Sequence, residues 1–177
     1  MPRKRPTRRS STLSAARGTG PAARGVGIEV VWRPRRAWGA GPLLRRVAHY
    51  AVTAEGFRSG QLTIVVVGSR TMAALHRRFA GAGGTTDVLT FDYGAEAGPG
   101  RLDAEVYVCA DVAQQRAARR GGTLAAARAE LALYVVHGIL HLAGYDDHTA
   151  RDFERMHARE DQLLERLGLG PVFGLLR

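Results

Sequence analysis

Two histidines four residues apart, near the end of an apolar helical stretch, constrain this chain more than any other feature. His137 and His141 lie within the apolar residues 131–142, and side chains at positions i and i+4 project from one face of an α-helix. Their imidazoles can therefore converge on one cation. Gly144 is expected to end the helix, and the polar turn that follows carries further candidate ligands. Three protein ligands and one open position are typical of a catalytic zinc site.

Length and composition indicate one domain with a sizeable core. The chain has 177 residues, of which 45% are hydrophobic, and this suffices for a single compact domain. The single cysteine, Cys109, excludes a disulfide framework and a cysteine-rich zinc site. No apolar run approaches the roughly 20 residues that span a bilayer. These features fit a reducing cytoplasm, where we expect the protein to reside.

The net charge of +10 is unevenly placed. Residues 1–26 hold seven of the 26 basic residues and none of the 16 acidic ones, so the rest of the chain is only mildly basic. This segment has few large apolar groups and is expected to be a disordered basic tail. It lacks the apolar core of a secretory signal. An arginine-rich arm suits RNA or ribosome contact; a solvated tail and a misassigned start are the alternatives. Residues 27–177 are predicted to form the single catalytic domain.

Hydrophobic periodicity predicts four strands and five helices in the order βαβα, then two strands, then helices. Strands are expected at residues 28–32, 62–67, 87–93 and 102–109. Helices are expected at residues 42–57, 69–79, 111–120, 123–144 and from 149 or 152 to 168, with caps at Ser69, Asp111 and Thr123. The short link at 94–100 favours an antiparallel pairing of the last two strands. The prediction is an α+β fold, a small mixed four-stranded sheet with helices packed on it.

The spacing of the two histidines is similar to the zincin motif HExxH, so a zincin-like site at the end of a central helix is expected. Gly138 stands where the zincin glutamate, the general base for water, would be. Peptide hydrolysis by that route is therefore not expected. The alternative to a metal site is a pair of core histidines, each satisfied by one hydrogen bond.

Two separated blocks resemble the YbeY family of bacterial rRNA maturation factors. They are His137-Gly-Ile-Leu-His141-Leu-Ala-Gly-Tyr-Asp and Thr86-Asp87-Val-Leu-Thr-Phe91-Asp-Tyr93, and the resemblance covers roughly residues 27–168. It implies a zinc-dependent, single-strand-specific endoribonuclease that acts in 16S rRNA 3′-end maturation and ribosome quality control. One Zn²⁺ per chain and partnership with rRNA and the small ribosomal subunit are implied as well. The alternatives are a non-catalytic ribosome-assembly factor with a structural zinc and a metallohydrolase acting on another substrate.

The resemblance also implies a ligand set and exposes a departure from the family pattern. The family usually has a third histidine six residues after the second, and Asp147 occupies that position here. Without a gap, Met156 falls in register with a methionine common in the family, which favours Asp147 as the third ligand beside His137 and His141. His148, one residue later, is the alternative.

A second departure concerns an arginine that many members carry after the aromatic residue equivalent to Phe79. Ala80 stands there, so Arg77 and Arg78 are the candidates to hold a phosphate in its place. Three residues are candidates to orient the ligands, namely Asp87, Tyr145 and Asp146. The other histidines with no partner pattern are expected at the surface, namely His49, His76 and His157.

Overall fold

The computed structural model describes residues 25–36, 38–94, 98–119, 121–170 and 172. Strands and helices follow the predicted order, and their bounds differ from the predicted ones by a few residues at most. The strands are β1 (Gly25–Trp32), β2 (Ser59–Val67), β3 (Val88–Asp92) and β4 (Arg101–Cys109). The helices are α1 (Gly41–Ala54), α2 (Ser69–Ala80), α3 (Ala110–Ala118), α4 (Leu124–Leu142) and α5 (Ala150–Arg166).

The four strands form one mixed sheet in the order β1-β2-β4-β3. Strands β1, β2 and β4 run parallel, with Ile28 opposite Leu62 and Leu62 opposite Ala104. Strand β3 pairs antiparallel with β4, with Thr90 opposite Val106. This confirms the predicted antiparallel pair and the mixed sheet, because the short link after β3 can only turn the chain back along its neighbour.

The alternation of side chains along the strands divides the core into two layers. Leu62, Ile64 and Val106 belong to the larger layer, which also holds buried residues of α1, α4 and α5. The intervening strand residues face a smaller layer in which Met72 of α2 is buried. Since successive side chains of a strand point to opposite faces, α2 lies on the opposite side of the sheet from α4.

The predicted helix caps are right at one helix and wrong at two. The Thr123 hydroxyl accepts a hydrogen bond from the Ala126 amide at 3.0 Å and caps α4 as predicted. Ser69 is instead the first residue of α2, and Asp111 lies inside the first turn of α3. The Asp111 carboxylate accepts the Ser69 amide at 2.7 Å and so caps α2 rather than its own helix. The pairing of β2 with β4 brings the starts of their two helices together.

The predicted basic tail lies outside the described residues except for its last two. Gly25 and Val26 pair with Ser59 and Gly60 in the sheet, so the predicted boundary at residue 26 was two residues too late. The predicted end of α3 at residue 120 and part of the 94–100 link also lie outside the described residues. Cys109 is buried, as expected. No helix in the described part of the chain is long and apolar enough to cross a membrane.

Candidate metal centre

The end of α4 positions a histidine pair and then turns the chain back over it. The Gly144 amide bonds to the His141 carbonyl, the Tyr145 amide bonds to the Leu140 carbonyl, and Gly144 has a left-handed φ of 93°. This is the Schellman arrangement, in which a glycine past the helix end allows the chain to reverse. The reversal brings residues 145–148 alongside the last turn of the helix, where the histidines project.

The two histidines point the same nitrogen of each ring at one another. Their Nε2 atoms are 3.0 Å apart. The His141 Nδ1 donates to the Tyr145 carbonyl at 3.1 Å, and the His137 Nδ1 donates to a Glu160 carboxylate oxygen at 2.7 Å. A neutral imidazole carries one proton, so with both Nδ1 atoms donating, both Nε2 atoms present lone pairs. Two lone pairs at this distance require a proton or a cation between them.

The donor set fits zinc. A tetrahedral zinc with Zn–N bonds of 2.0–2.1 Å would hold two nitrogens about 3.3 Å apart, close to the separation of the Nε2 atoms. Asp147 offers a carboxylate oxygen, and the ligand atoms of His137, His141 and Asp147 all lie within 4.8 Å of one another. Two imidazoles and one carboxylate would hold the metal and leave a position open for a water or substrate.

The same turn separates the two candidates for the third ligand. Asp147 lies with the histidine pair, whereas His148 groups with Asp146 and Asp147 on the exposed side of the turn. The His148 Nδ1 contacts the Asp146 carboxylate, which also accepts the Asp147 amide at 2.8 Å. The Asp146 carboxylate thus stabilises the turn through these contacts, and it does not contact either imidazole of the pair. The geometry favours Asp147 over His148.

Two residues of α5 complete the site, and the sequence alone did not reveal them. Glu160 is fully buried, and its two carboxylate oxygens accept from the Nδ1 atoms of His137 and His157. His157 is buried, and its ring stacks on His137 with centroids 6.1 Å apart. The prediction of a surface position was therefore wrong for His157. The i, i+3 spacing of His157 and Glu160 on an amphipathic helix was the available signal.

The surroundings of the pair shift the pKa values of its two histidines in opposite directions. Burial lowers the pKa of His137, but the hydrogen bond and negative charge of Glu160 outweigh it and raise that pKa above its ordinary value. Burial, together with the charge of His137, holds the pKa of His141 below its ordinary value. Burial raises the pKa of Glu160, but its bonds to both histidines bring it below the usual range. Glu160 is therefore an ionised, buried acceptor that fixes the tautomer and orientation of His137.

Gly138 faces the sheet rather than the site. A Cβ atom there would lie 2.8 Å from the Val106 Cγ1 atom and 3.1 Å from the Thr90 Oγ1 atom. A glutamate at this position would have no room and would point away from the histidines. This explains why the zincin glutamate is missing, and it removes the helix as a source of that general base.

Two of the three candidates to orient the ligands, Tyr145 and Asp87, act on the pair, each in a different way. Tyr145 contributes its carbonyl to His141, while its ring packs under the Arg155 guanidinium. The Asp87 carboxylate accepts from the Val88 amide and from Arg116, and its charge helps to raise the pKa of His137. Arg116 is thus tied to the site through Asp87.

The structure does not bring Arg77 and Arg78 onto the layer of the histidine pair. Both are exposed in the last turn of α2, on the opposite side of the sheet from α4, and Arg78 packs over the Phe79 ring. His49 is exposed as predicted, whereas His76 is half-buried and contacts the Gly84 carbonyl.

The metal-free protein is expected to lose stability as the pH rises above 6.5. His137 has a folded pKa above its ordinary value of 6.5, so its contribution is fully present below that value and is lost as the pH rises through the raised pKa. The lowered pKa of His141 affects the stability of the fold only below pH 6.5. Zinc should reverse the trend, because it competes with the proton. Melting temperatures of chelator-treated and zinc-loaded protein between pH 6.5 and 8 test this, with His137→Ala as comparator. A metal-free melting temperature that rises over this range would contradict it.

Comparison with known proteins agrees with the geometry. The profile of the family described as Endoribonuclease YbeY matches residues 40–168. The chain is 34% identical to the Endoribonuclease YbeY of Chlorobium luteolum over 71% of this chain and 87% of that one. It is 37% identical to that of an Anaeromyxobacter species over 77% of this chain and 69% of that one.

A solved structure shows the same fold. The solution structure of TM1509 from Thermotoga maritima superposes with a TM-score of 0.54 at 25% identity, and covers 82% of this chain and 94% of that one. The residues that match the family profile include the whole of α4, the turn after it and Glu160. The chain belongs to the Endoribonuclease YbeY family.

Proposed function

We propose that this protein is a metal-dependent endoribonuclease that cleaves single-stranded RNA in 16S rRNA 3′-end maturation and in ribosome quality control. The observation that carries the proposal is the facing pair of Nε2 lone pairs on α4, with Asp147 beside them, in a chain of this family. We further propose zinc as the metal, one ion per chain, with rRNA and the small ribosomal subunit as partners in the cytoplasm.

The residues of the site divide the chemical tasks. His137, His141 and Asp147 would hold the cation, and Glu160 and the Tyr145 carbonyl orient the two imidazoles. When bound, zinc supplies Lewis acidity for a phosphoryl oxygen and activates water for attack on the phosphodiester. Exposed arginines hold the flanking phosphates; Arg77 and Arg78 remain candidates only for phosphates that reach the α2 side of the sheet. A single strand suits the site because its backbone can bend to bring one phosphate to a recessed group.

The direct test is cleavage of a 3′-extended 16S rRNA precursor and of its duplex form, with zinc and with chelator. We expect zinc-dependent cleavage of the single-stranded precursor only. Metal analysis of the same preparation should give about one zinc per chain. A protein that keeps its zinc and binds the precursor but cleaves nothing would favour the assembly-factor alternative. Cleavage that chelation leaves unchanged would contradict the metal dependence.

Asp147→Ala is expected to lower zinc affinity much more than His148→Ala. Loss of one of three protein ligands should weaken binding by about 100-fold or more, since even residues that only support a ligand contribute 10–100-fold. His148 contacts the exposed Asp146 and not the histidine pair, so its removal should change affinity by less than about threefold. Competition with a chromogenic zinc chelator measures both. The greater loss in His148→Ala would assign the third ligand to His148.

A further inference from the structure

A groove lies at the end of the sheet where β1 and β4 finish, apart from the histidine pair. It encloses about 600 Å³, and its walls come from the segment after β1 and from the starts of α3 and α4. We call it the Trp38 groove; the lining residues used below are Arg35, Arg36, Trp38, Asp111, Gln114 and Leu124. Leu124 precedes His137 by 13 residues on the same helix, which places the groove roughly 20 Å from the site along the helix axis.

The basic wall of the groove is held in place by hydrogen bonds to its backbone, and Arg128 donates from both Nε and Nη2 to the Trp38 carbonyl. The Trp32 indole donates to the Arg36 carbonyl at 3.0 Å, the Arg128 guanidinium donates to the Trp38 carbonyl at 2.8 Å, and the Arg33 amide donates to Val66 at 3.0 Å. Trp38 also packs against Trp32, with ring centroids 5.6 Å apart. The backbone that carries Arg35 and Arg36 is therefore anchored on both sides.

The charges of this wall face solvent. Arg35 and Arg36 are both exposed, and within the described part of the chain neither forms an ion pair with a carboxylate. The acid of the groove, Asp111, accepts the Ser69 amide at 2.7 Å and is thus engaged with the start of α2. The two guanidinium groups therefore give this wall of the groove a positive charge.

Apolar side chains that are partly accessible lie beside these charges. Trp38 is half-buried and Leu124 is 50% exposed, and both line the groove. Guanidinium groups that hold phosphates, next to an indole on which a base can stack, form the combination that single-stranded nucleic acid requires. Gln114 adds an amide that can bond to a base edge or a sugar.

We propose that the Trp38 groove is a second contact for single-stranded RNA, which binds the substrate a few nucleotides from the phosphate that is cleaved. Arg35 and Arg36 bind two phosphates, and Trp38 stacks on a base between them. The proposal rests on the proposed function, because it gives the groove the same RNA that the histidine site cleaves.

The test uses the full chain treated with chelator, so that RNA is bound and not cleaved. Fluorescence anisotropy with a labelled, unstructured oligoribonucleotide gives the dissociation constant at several salt concentrations. The Arg35→Ala/Arg36→Ala protein is compared with Arg45→Ala/Arg46→Ala, which removes the same charge from an exposed pair on α1. We expect about tenfold weaker binding for the first pair and a salt slope lower by about 1.4, or about 0.7 for each lost phosphate contact. The control pair should change neither.

Trp38→Leu separates stacking from charge. It should weaken binding by about tenfold with an unchanged salt slope, since a base stack releases no counterions. If the two double arginine variants weaken RNA binding equally, or if Arg35→Ala/Arg36→Ala does not weaken it, the Trp38 groove is not an RNA contact. If wild type shows zinc-dependent cleavage but the groove variants bind RNA as wild type does, the groove proposal fails and the nuclease proposal stands. If RNA binding depends on the groove but wild type cleaves nothing, the nuclease proposal fails and the groove proposal stands.

Discussion

His137→Ala is expected to lose nearly all bound metal and to slow RNA cleavage by about a thousandfold or more. His137 provides one of the two facing Nε2 atoms, and its other nitrogen is held by the buried Glu160. A site with one imidazole and one carboxylate cannot keep zinc against a chelator. Loss of the cation removes several kcal/mol of transition-state stabilisation, and each 1.36 kcal/mol changes a rate tenfold.

The measurement is metal content by elemental analysis together with single-turnover cleavage of the labelled precursor. His49→Ala is the matched control, because His49 is exposed on α1 and is not among the grouped ligand residues. It should keep its metal and its rate, whereas any cleavage that remains in His137→Ala, purified in parallel, reports contaminating ribonuclease. Full metal content in His137→Ala would place the metal elsewhere. Equal cleavage by the two variants would end the nuclease proposal.

Glu160→Gln is expected to weaken zinc binding by about 10–100-fold while Asp147 and both histidines remain in place. The carboxylate accepts from His137 and from His157 at once, whereas the glutamine amide has one oxygen and one NH₂ group. One imidazole would then face a donor, and the tautomer of His137 that presents Nε2 to the metal would no longer be fixed. The raised pKa of His137 should fall as well, because the negative charge is lost.

Glu165→Gln makes the same chemical change at an exposed position of the same helix and serves as the control. A nuclear magnetic resonance titration of His137 in the metal-free proteins supplies a measurement that general destabilisation would not change. Glu160→Asp, which keeps the charge, should recover part of the affinity. Zinc affinity and a His137 pKa that match wild type in Glu160→Gln would show that Glu160 does not position the ligand.

The helix that carries the histidines could be predicted in detail because its signals are local. Thr123 caps its start, Gly144 ends it, and the spacing of His137 and His141 places both on one face. Each of these features depends on a few neighbouring residues and on fixed helix geometry. The choice of Asp147 over His148 rests instead on the ungapped register with the family, and Asp147 does lie with the pair.

The helix caps at Ser69 and Asp111 show where local reasoning fails. Each residue type favours a cap at the start of its own helix, yet Asp111 caps the neighbouring helix. That partnership exists because β2 and β4 are adjacent in the sheet, with Val67 opposite Cys109. Strand order is a property of the whole chain, and hydrophobic periodicity does not specify it.

What the sequence by itself determined about this protein is the set of strands and helices, the antiparallel link before β4 and the face on which the two histidines project. The tertiary structure alone decided what surrounds that face. It packed α5 on α4 so that Glu160 reaches His137, buried His157 beside them, and turned Gly138 against Val106. The physical reason is that these contacts join residues distant in sequence, and their distances follow from how the helices and the sheet pack together rather than from spacing along the chain.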